Sequence, residues 1–174
     1  MIRINADAEI QTLILGDDGV FPNNERLCLI VYRQVIDING SGPEAFEDTF
    51  KKNNWGNSWR NGIYSFHHYH STAHEVLGVY RGNARVQLGG PDGEIVEVMA
   101  GDIVLIPAGV AHKNLGASPD FRVVGAYPVG QSWDMNYGKA GERPGTDRNI
   151  ERVPLPSKDP VFGNSGPVID SWHR

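Results

Sequence analysis

From residue 63 to residue 127, apolar and β-branched runs recur every 8 to 12 residues, each closed by a turn signal. The signals are Gly82-Asn83, Gly89-Gly-Pro-Asp-Gly93, Pro107-Ala-Gly109 and the stretch from Gly116 to Pro119. Helices need longer uninterrupted periods, whereas short strands at this spacing build a jelly roll or barrel. Alternation within one run, Ala84, Val86 and Leu88 against Arg85 and Gln87, gives it an apolar inner face and a polar outer one.

The first strand of that series carries chemistry. Four of the six histidines, His67, His68, His70 and His74, fall within Gly62 to Gly82, and Glu75 follows the last of them. A strand over 63–70 points His68 and His70 the same way, with Tyr64 and Phe66 on that shared inner face. A turn at Ser71-Thr72-Ala73 then brings Glu75 back beside the two imidazoles. Further on, the buried-looking strand from Gly101 is stopped by Pro107-Ala-Gly109 and followed by His112. Three imidazoles and one carboxylate without sulfur suit one divalent transition metal ion, Mn, Fe, Ni, Cu or Zn. The expected ligands are therefore His68, His70, Glu75 and His112.

This arrangement resembles the two motifs of the cupin superfamily. Gly62, His68, His70, Glu75 and Gly82 fit the first motif in its four-residue variant, and Gly101, Pro107, Gly109 and His112 fit the second. The second motif's asparagine is missing: position 116 is Gly, and Asn114 comes two residues early. The resemblance covers about residues 60–128 and is nearest to a single-domain cupin of the YjlB-like kind. It implies an all-β, double-stranded β-helix (jelly-roll barrel) fold and a homodimer. The spacing to Gly82 favours Glu75 over His74 as the acidic-position ligand, leaving His74 as a residue that orients Glu75 or a ligand imidazole. His67, next to a ligand, is expected to face outward as a structural residue.

At 174 residues the chain is expected to form one domain, 1–174: N-terminal strands and a helix over 8–54, the barrel core, and a C-terminal arm over 129–174. Strands are expected within 8–16 and 27–37. Ser41, Pro43 and Glu44 read as the capped start of one short helix running to Asn53, with Phe46 and Phe50 on its buried side. Residues 53–59 read as a loop whose Trp55 and Trp59 either rim the pocket or plug the barrel. The arm, rich in Gly, Pro and Asn yet carrying Trp133, Tyr137, Phe162 and Trp172, is expected to be ordered and extended, without much regular structure.

Several function classes are disfavoured. No apolar run approaches the ~20 residues of a membrane span. The formal charge of −5, with no basic patch interleaved with aromatics, lacks the footprint of a nucleic-acid binder. A lone Cys28 in an apolar run and an N-terminus without a secretory pattern fit a cytoplasmic protein. A small-molecule ligand in a mostly apolar cavity is the expected partner. Tyr64 reads first as a wall of that cavity, and is also the one non-ligand acid or base on its strand. The resemblance implies either a metal-dependent enzyme of dioxygenase, isomerase or decarboxylase type acting on an oxygen-rich molecule, or a non-catalytic carboxylate- or sugar-binding module.

Overall fold

The computed structural model describes residues 2–174. Among these residues nine antiparallel strands form two sheets that face each other. The larger holds β1 (Ile10–Leu15), β2 (Asn24–Tyr32), β7 (Ile103–Ile106), β4 (Glu75–Arg81), β9 (Arg122–Pro128) and β3 (Trp55–Asn61), in that spatial order. The smaller has β5 (Asn83–Leu88) between β6 (Glu94–Met99) and β8 (His112–Ala117). This is the jelly-roll, double-stranded β-helix architecture expected from the sequence.

The burial patterns follow from this layering. Ala84, Val86 and Leu88 point inward from β5 and meet Leu77, Val79, Val104 and Val123 of the larger sheet, forming one core. The smaller sheet's outer face is wet, so β5 and β6 alternate. The larger sheet is covered on both faces, and β7 is accordingly apolar and buried at every residue. Its back carries a second core, in which Ile30, Tyr32, Val76, Leu105 and Val124 pack against helix α1 (Pro43–Lys52) and helix α3 (Pro167–Trp172). Among the described residues no helix is long and apolar enough to cross a membrane.

The structure corrects four expectations. Residues 63–70 do not form a strand; only His68 and Tyr69 make isolated bridges, to His112 and Asn136. The expected loop over 53–59 is mostly β3, paired with β9 through an irregular register between Gly56 and Trp59. Helix α1 begins after Gly42, with no side-chain cap, so the Ser41–Glu44 capping pattern is not realised. The arm contains regular structure, α2 (Gly145–Arg152) as well as α3, so the described residues hold three helices and not one.

The arm is fastened by buried polar groups. Asp159, fully buried, accepts from the Tyr32 hydroxyl at 2.8 Å and from the backbone N–H groups of Val161, Phe162 and Val168. Trp172 donates its indole N–H to the Cys28 carbonyl at 2.9 Å, which places Cys28 under α3.

Candidate metal centre

His68 and His112 face each other across an antiparallel bridge, with N–H···O distances of 3.3 and 2.9 Å in the two directions. That bridge aligns the irregular 66–74 segment with the start of β8 and sets the two rings 4.0 Å apart, centre to centre. Two residues on, the His70 carbonyl accepts the Gly109 N–H at 2.7 Å. Gly109 has φ +95°, and a Cβ there would lie 2.4 Å from the Asn23 carbonyl oxygen, so the turn that delivers His112 requires glycine. Glu75 opens β4, opposite Ile106, and reaches the same point from the larger sheet.

The ligating atoms of His68, His70 and His112 lie within 4.8 Å of one another, and all three residues are buried. Each ring donates its Nδ1 proton to a backbone carbonyl: His68 to Phe66 at 2.9 Å, His112 to Val110 at 3.0 Å, and His70 to Asp134. Pinning Nδ1–H this way fixes the tautomer and leaves three Nε2 lone pairs turned inward, the orientation metal-ligating imidazoles adopt. Glu75 Oε2 stands 2.7 Å from His70 Nε2 and 3.6 Å from His112 Nε2. It still lacks a hydrogen bond of acceptable geometry. A buried carboxylate facing imidazole lone pairs is repulsive unless a cation stands between them. The donor set therefore fits a divalent transition ion, chosen by supply and geometry.

The electrostatics differ between the rings. Burial, reinforced by the neighbouring His112, pushes His68 down to about 3, so it is neutral and able to ligate at ordinary pH. Burial opposes charge on His70, but Glu75 outweighs it and raises that group. Burial alone would raise the Glu75 carboxyl; His70 and His112 overcome it and hold the group far below the carboxylate range.

The site opens into a cavity of about 220 Å³ walled by Trp59, Ile63, Leu77, Tyr127, Trp133 and Met135. Tyr64 also lines it but is 51% exposed, and Phe66, stacked on Tyr64 at 4.9 Å, is 42% exposed. Tyr64 sits at the rim and Phe66 does not line the cavity, so neither lies inside the barrel as expected, because without a strand at 63–70 the alternation that orients His68 and His70 does not extend back to them. Trp55 is the larger correction. It is buried in the core behind the larger sheet and donates its indole N–H to Lys158, away from the cavity.

His74 faces away from the ligands: Nδ1 accepts the Ala108 N–H at 2.9 Å, and its ring packs on Trp172. It steadies the Pro107–Gly109 turn and touches no ligand imidazole. His67 is half-buried against Phe21, with its Nδ1 unpaired. In place of the missing motif asparagine, Asn114 accepts the Gly116 N–H and donates its backbone N–H to Tyr64.

The arm adds residues that sequence reading missed. Asp134 accepts from the Ser71 N–H at 2.6 Å and from the Ser71 hydroxyl while its own carbonyl takes the His70 proton. Trp133 lies edge-on to His70 at 5.6 Å and stacks on Tyr127. Leu77 was findable, since it shares strand parity with Glu75. Trp133 and Asp134 sit in an aperiodic segment with no local signal of their role.

No protein-family model matches the chain. It is 40% identical over 166 residues to the uncharacterised protein YjlB of Bacillus subtilis (strain 168), spanning 95% of this chain and 98% of that protein. Among solved structures, an acireductone dioxygenase from Bacillus anthracis with a cadmium ion in its active centre is 16% identical. It covers 54% of this chain and 63% of its own, with a TM-score of 0.41. The DMSP lyase DddQ from Ruegeria pomeroyi, also 16% identical, covers 78% and 55% with a TM-score of 0.37.

Proposed function

The chain belongs to the YjlB family, within the cupins, and from that premise we propose that it is a metal-dependent enzyme acting on a small oxygen-rich organic molecule. The observation that carries this reading is the convergence of three Nδ1-pinned imidazoles and the unpaired Glu75 oxygen on one point at the floor of a cavity. His68, His70, Glu75 and His112 would hold the ion. When bound, it supplies Lewis acidity and coordination positions that a ligand oxygen can take. The chain's own part is to orient the three rings through their Nδ1 hydrogen bonds, and to surround the reacting atoms with Leu77, Ile63 and Met135. These apolar walls exclude water and strengthen every charge interaction inside. The reaction type within dioxygenase, isomerase or decarboxylase chemistry belongs to this proposal, as do the homodimer and the cytoplasmic setting.

The second reading is a binding module whose metal only anchors a carboxylate or sugar. It is favoured by the largely apolar cavity wall, which offers few groups for proton transfer.

The test begins with metal analysis of protein purified without added metal, native and His68→Ala. The native protein is expected to carry close to one ion and the variant to lose most of it; equal contents would sink the ligand assignment. Calorimetry with oxalate on the manganese-loaded native protein and on His112→Ala follows. Binding that needs the intact site supports a ligand-accepting centre, whereas identical binding by both proteins makes the metal structural and removes the enzyme reading.

A further inference from the structure

Trp59 lies opposite Gly125 in the β3–β9 pair. A Cβ at Gly125 would fall 2.2 Å from the Trp59 ring, so the indole can lie across β9 only because that position is glycine. From there its N–H reaches along β9 and donates to the Tyr127 hydroxyl at 2.8 Å. The hydroxyl oxygen is thereby engaged as an acceptor, and among the described residues this is the one hydrogen bond the hydroxyl makes. Tyr127 lines the cavity shared by His68, His70, Glu75 and His112, with its ring 6.3 Å from both Trp133, on which it stacks, and His70, which it meets edge-on.

The other polar groups on the cavity wall are placed differently. Arg60 is committed to two carboxylates of α1, Glu47 at 2.6 and 2.9 Å and Glu44 at 3.1 Å. Tyr64, Asn61 and Trp133, whose indole N–H is the other neutral aromatic donor of the lining, are exposed at the rim. Tyr127 is thus the inner wall's neutral hydrogen-bond donor. We propose that Tyr127, aimed by Trp59, donates the hydrogen bond that holds an oxygen of a small carboxylate-type ligand bound at the metal centre. This rests on the metal-site reading above and adds to it a ligand class and a second contact point.

The ligand is small, because about 220 Å³ falls below the ~300–1,000 Å³ of sites for drug-sized molecules. A phenol keeps its proton at neutral pH, so the hydroxyl is available as a donor to a ligand oxygen. A donor that is oriented in advance loses less freedom on binding and contributes more to affinity than a mobile one. Trp59 is therefore a positioning residue.

The experiment compares manganese-loaded native, Tyr127→Phe and Trp59→Phe proteins by calorimetry against oxalate and, separately, imidazole, which ligates a metal but offers no oxygen acceptor. Manganese affinity and imidazole affinity should be unchanged in Tyr127→Phe, while oxalate affinity falls ~10–100-fold, as for loss of a hydrogen bond to a charged group. Trp59→Phe should lose oxalate affinity less, by roughly threefold. Oxalate binding within twofold of native in a Tyr127→Phe protein that still binds manganese would overturn the role of Tyr127 and leave the metal site standing. A parallel fall for oxalate and imidazole would reduce Tyr127 to a packing residue. Native protein that binds manganese but not oxalate would defeat the ligand-binding reading above, and this inference with it.

Discussion

The segment that carries His68 and His70 and the segment that carries His112 bring the same side chain to the same point by different means. His112 is held by local covalent geometry and sheet pairing: a Pro-Ala-Gly turn with Gly109 at positive φ, then the first residue of β8, in register with Leu88. His68 and His70 lie on irregular backbone with a single bridge to β8. They depend on residues far away in sequence, since His70 donates to Asp134, and the Asp134 carboxylate clamps Ser71. One half of the site is built into the barrel; the other is assembled by the arm. A barrel motif can therefore be complete in sequence while half of its geometry is set from outside the motif.

The difference can be broken from either side. The largest effect is expected for Gly109→Ala, where a methyl would meet the Asn23 carbonyl at 2.4 Å and Ile150 at 2.7 Å on backbone that side chains resist. A loss of ~3 kcal/mol is expected, lowering Tm by about 6–12 °C. Metal affinity should fall with it, because turn and ligand move together. A variant with native Tm would show that the turn yields and that His112 is not held as described.

Asp134→Ala attacks the other half. Losing the two bonds to Ser71 should cost about 2 kcal/mol and weaken metal binding ~10-fold or more, with Asp134→Asn recovering part of both. For equal loss of Tm, this variant should lose more metal than Gly109→Ala does. Equal ratios of metal loss to Tm loss would erase the distinction between the halves.

The smallest effect concerns His74, which joins the two by accepting the Ala108 N–H from within the irregular segment. Burial, with the Pro154 carbonyl opposing it, pushes His74 down to about 4. The unfolded chain binds that proton near ~6.5, so the stability from keeping His74 neutral is complete above that pH. It is lost as pH falls toward 4, at up to ~1.4 kcal/mol per pH unit. Urea midpoints of metal-free protein between pH 7 and pH 4.5 should fall more steeply for native than for His74→Asn. His68 is depressed as well, so the comparison lies in the difference between curves, and parallel curves would remove His74 as a pH-sensitive brace.

What was legible in the sequence divides along the same line. The barrel strands could be read because each makes its pattern locally: β5 alternates since one face of its sheet is wet, and β7 is continuously apolar since both faces of its sheet are covered. The spacing of His68, His70, Glu75 and His112 was likewise visible, because turn chemistry at Gly109 and parity at 68 and 70 are short-range properties. Trp55 was misplaced because a tryptophan beside a glycine reads the same whether β3 sends it behind the sheet or over the cavity. Tyr127 and Asp134 gained their roles from pairings with Trp59 and Ser71, which are 68 and 63 residues away. No window of sequence contains both partners.

The order of strands in the larger sheet also sets a timetable for the nascent chain. β4, which begins with Glu75, hydrogen-bonds on its two sides to β7 and β9, both of which are synthesised after it. When His68, His70 and Glu75 leave the ribosome they have neither sheet partners nor His112, and the Asp134 clasp comes later still. At ~5–20 residues per second that delay is several seconds, during which these groups are not yet held together. Any ion the site accepts would therefore meet the four groups as a finished pocket.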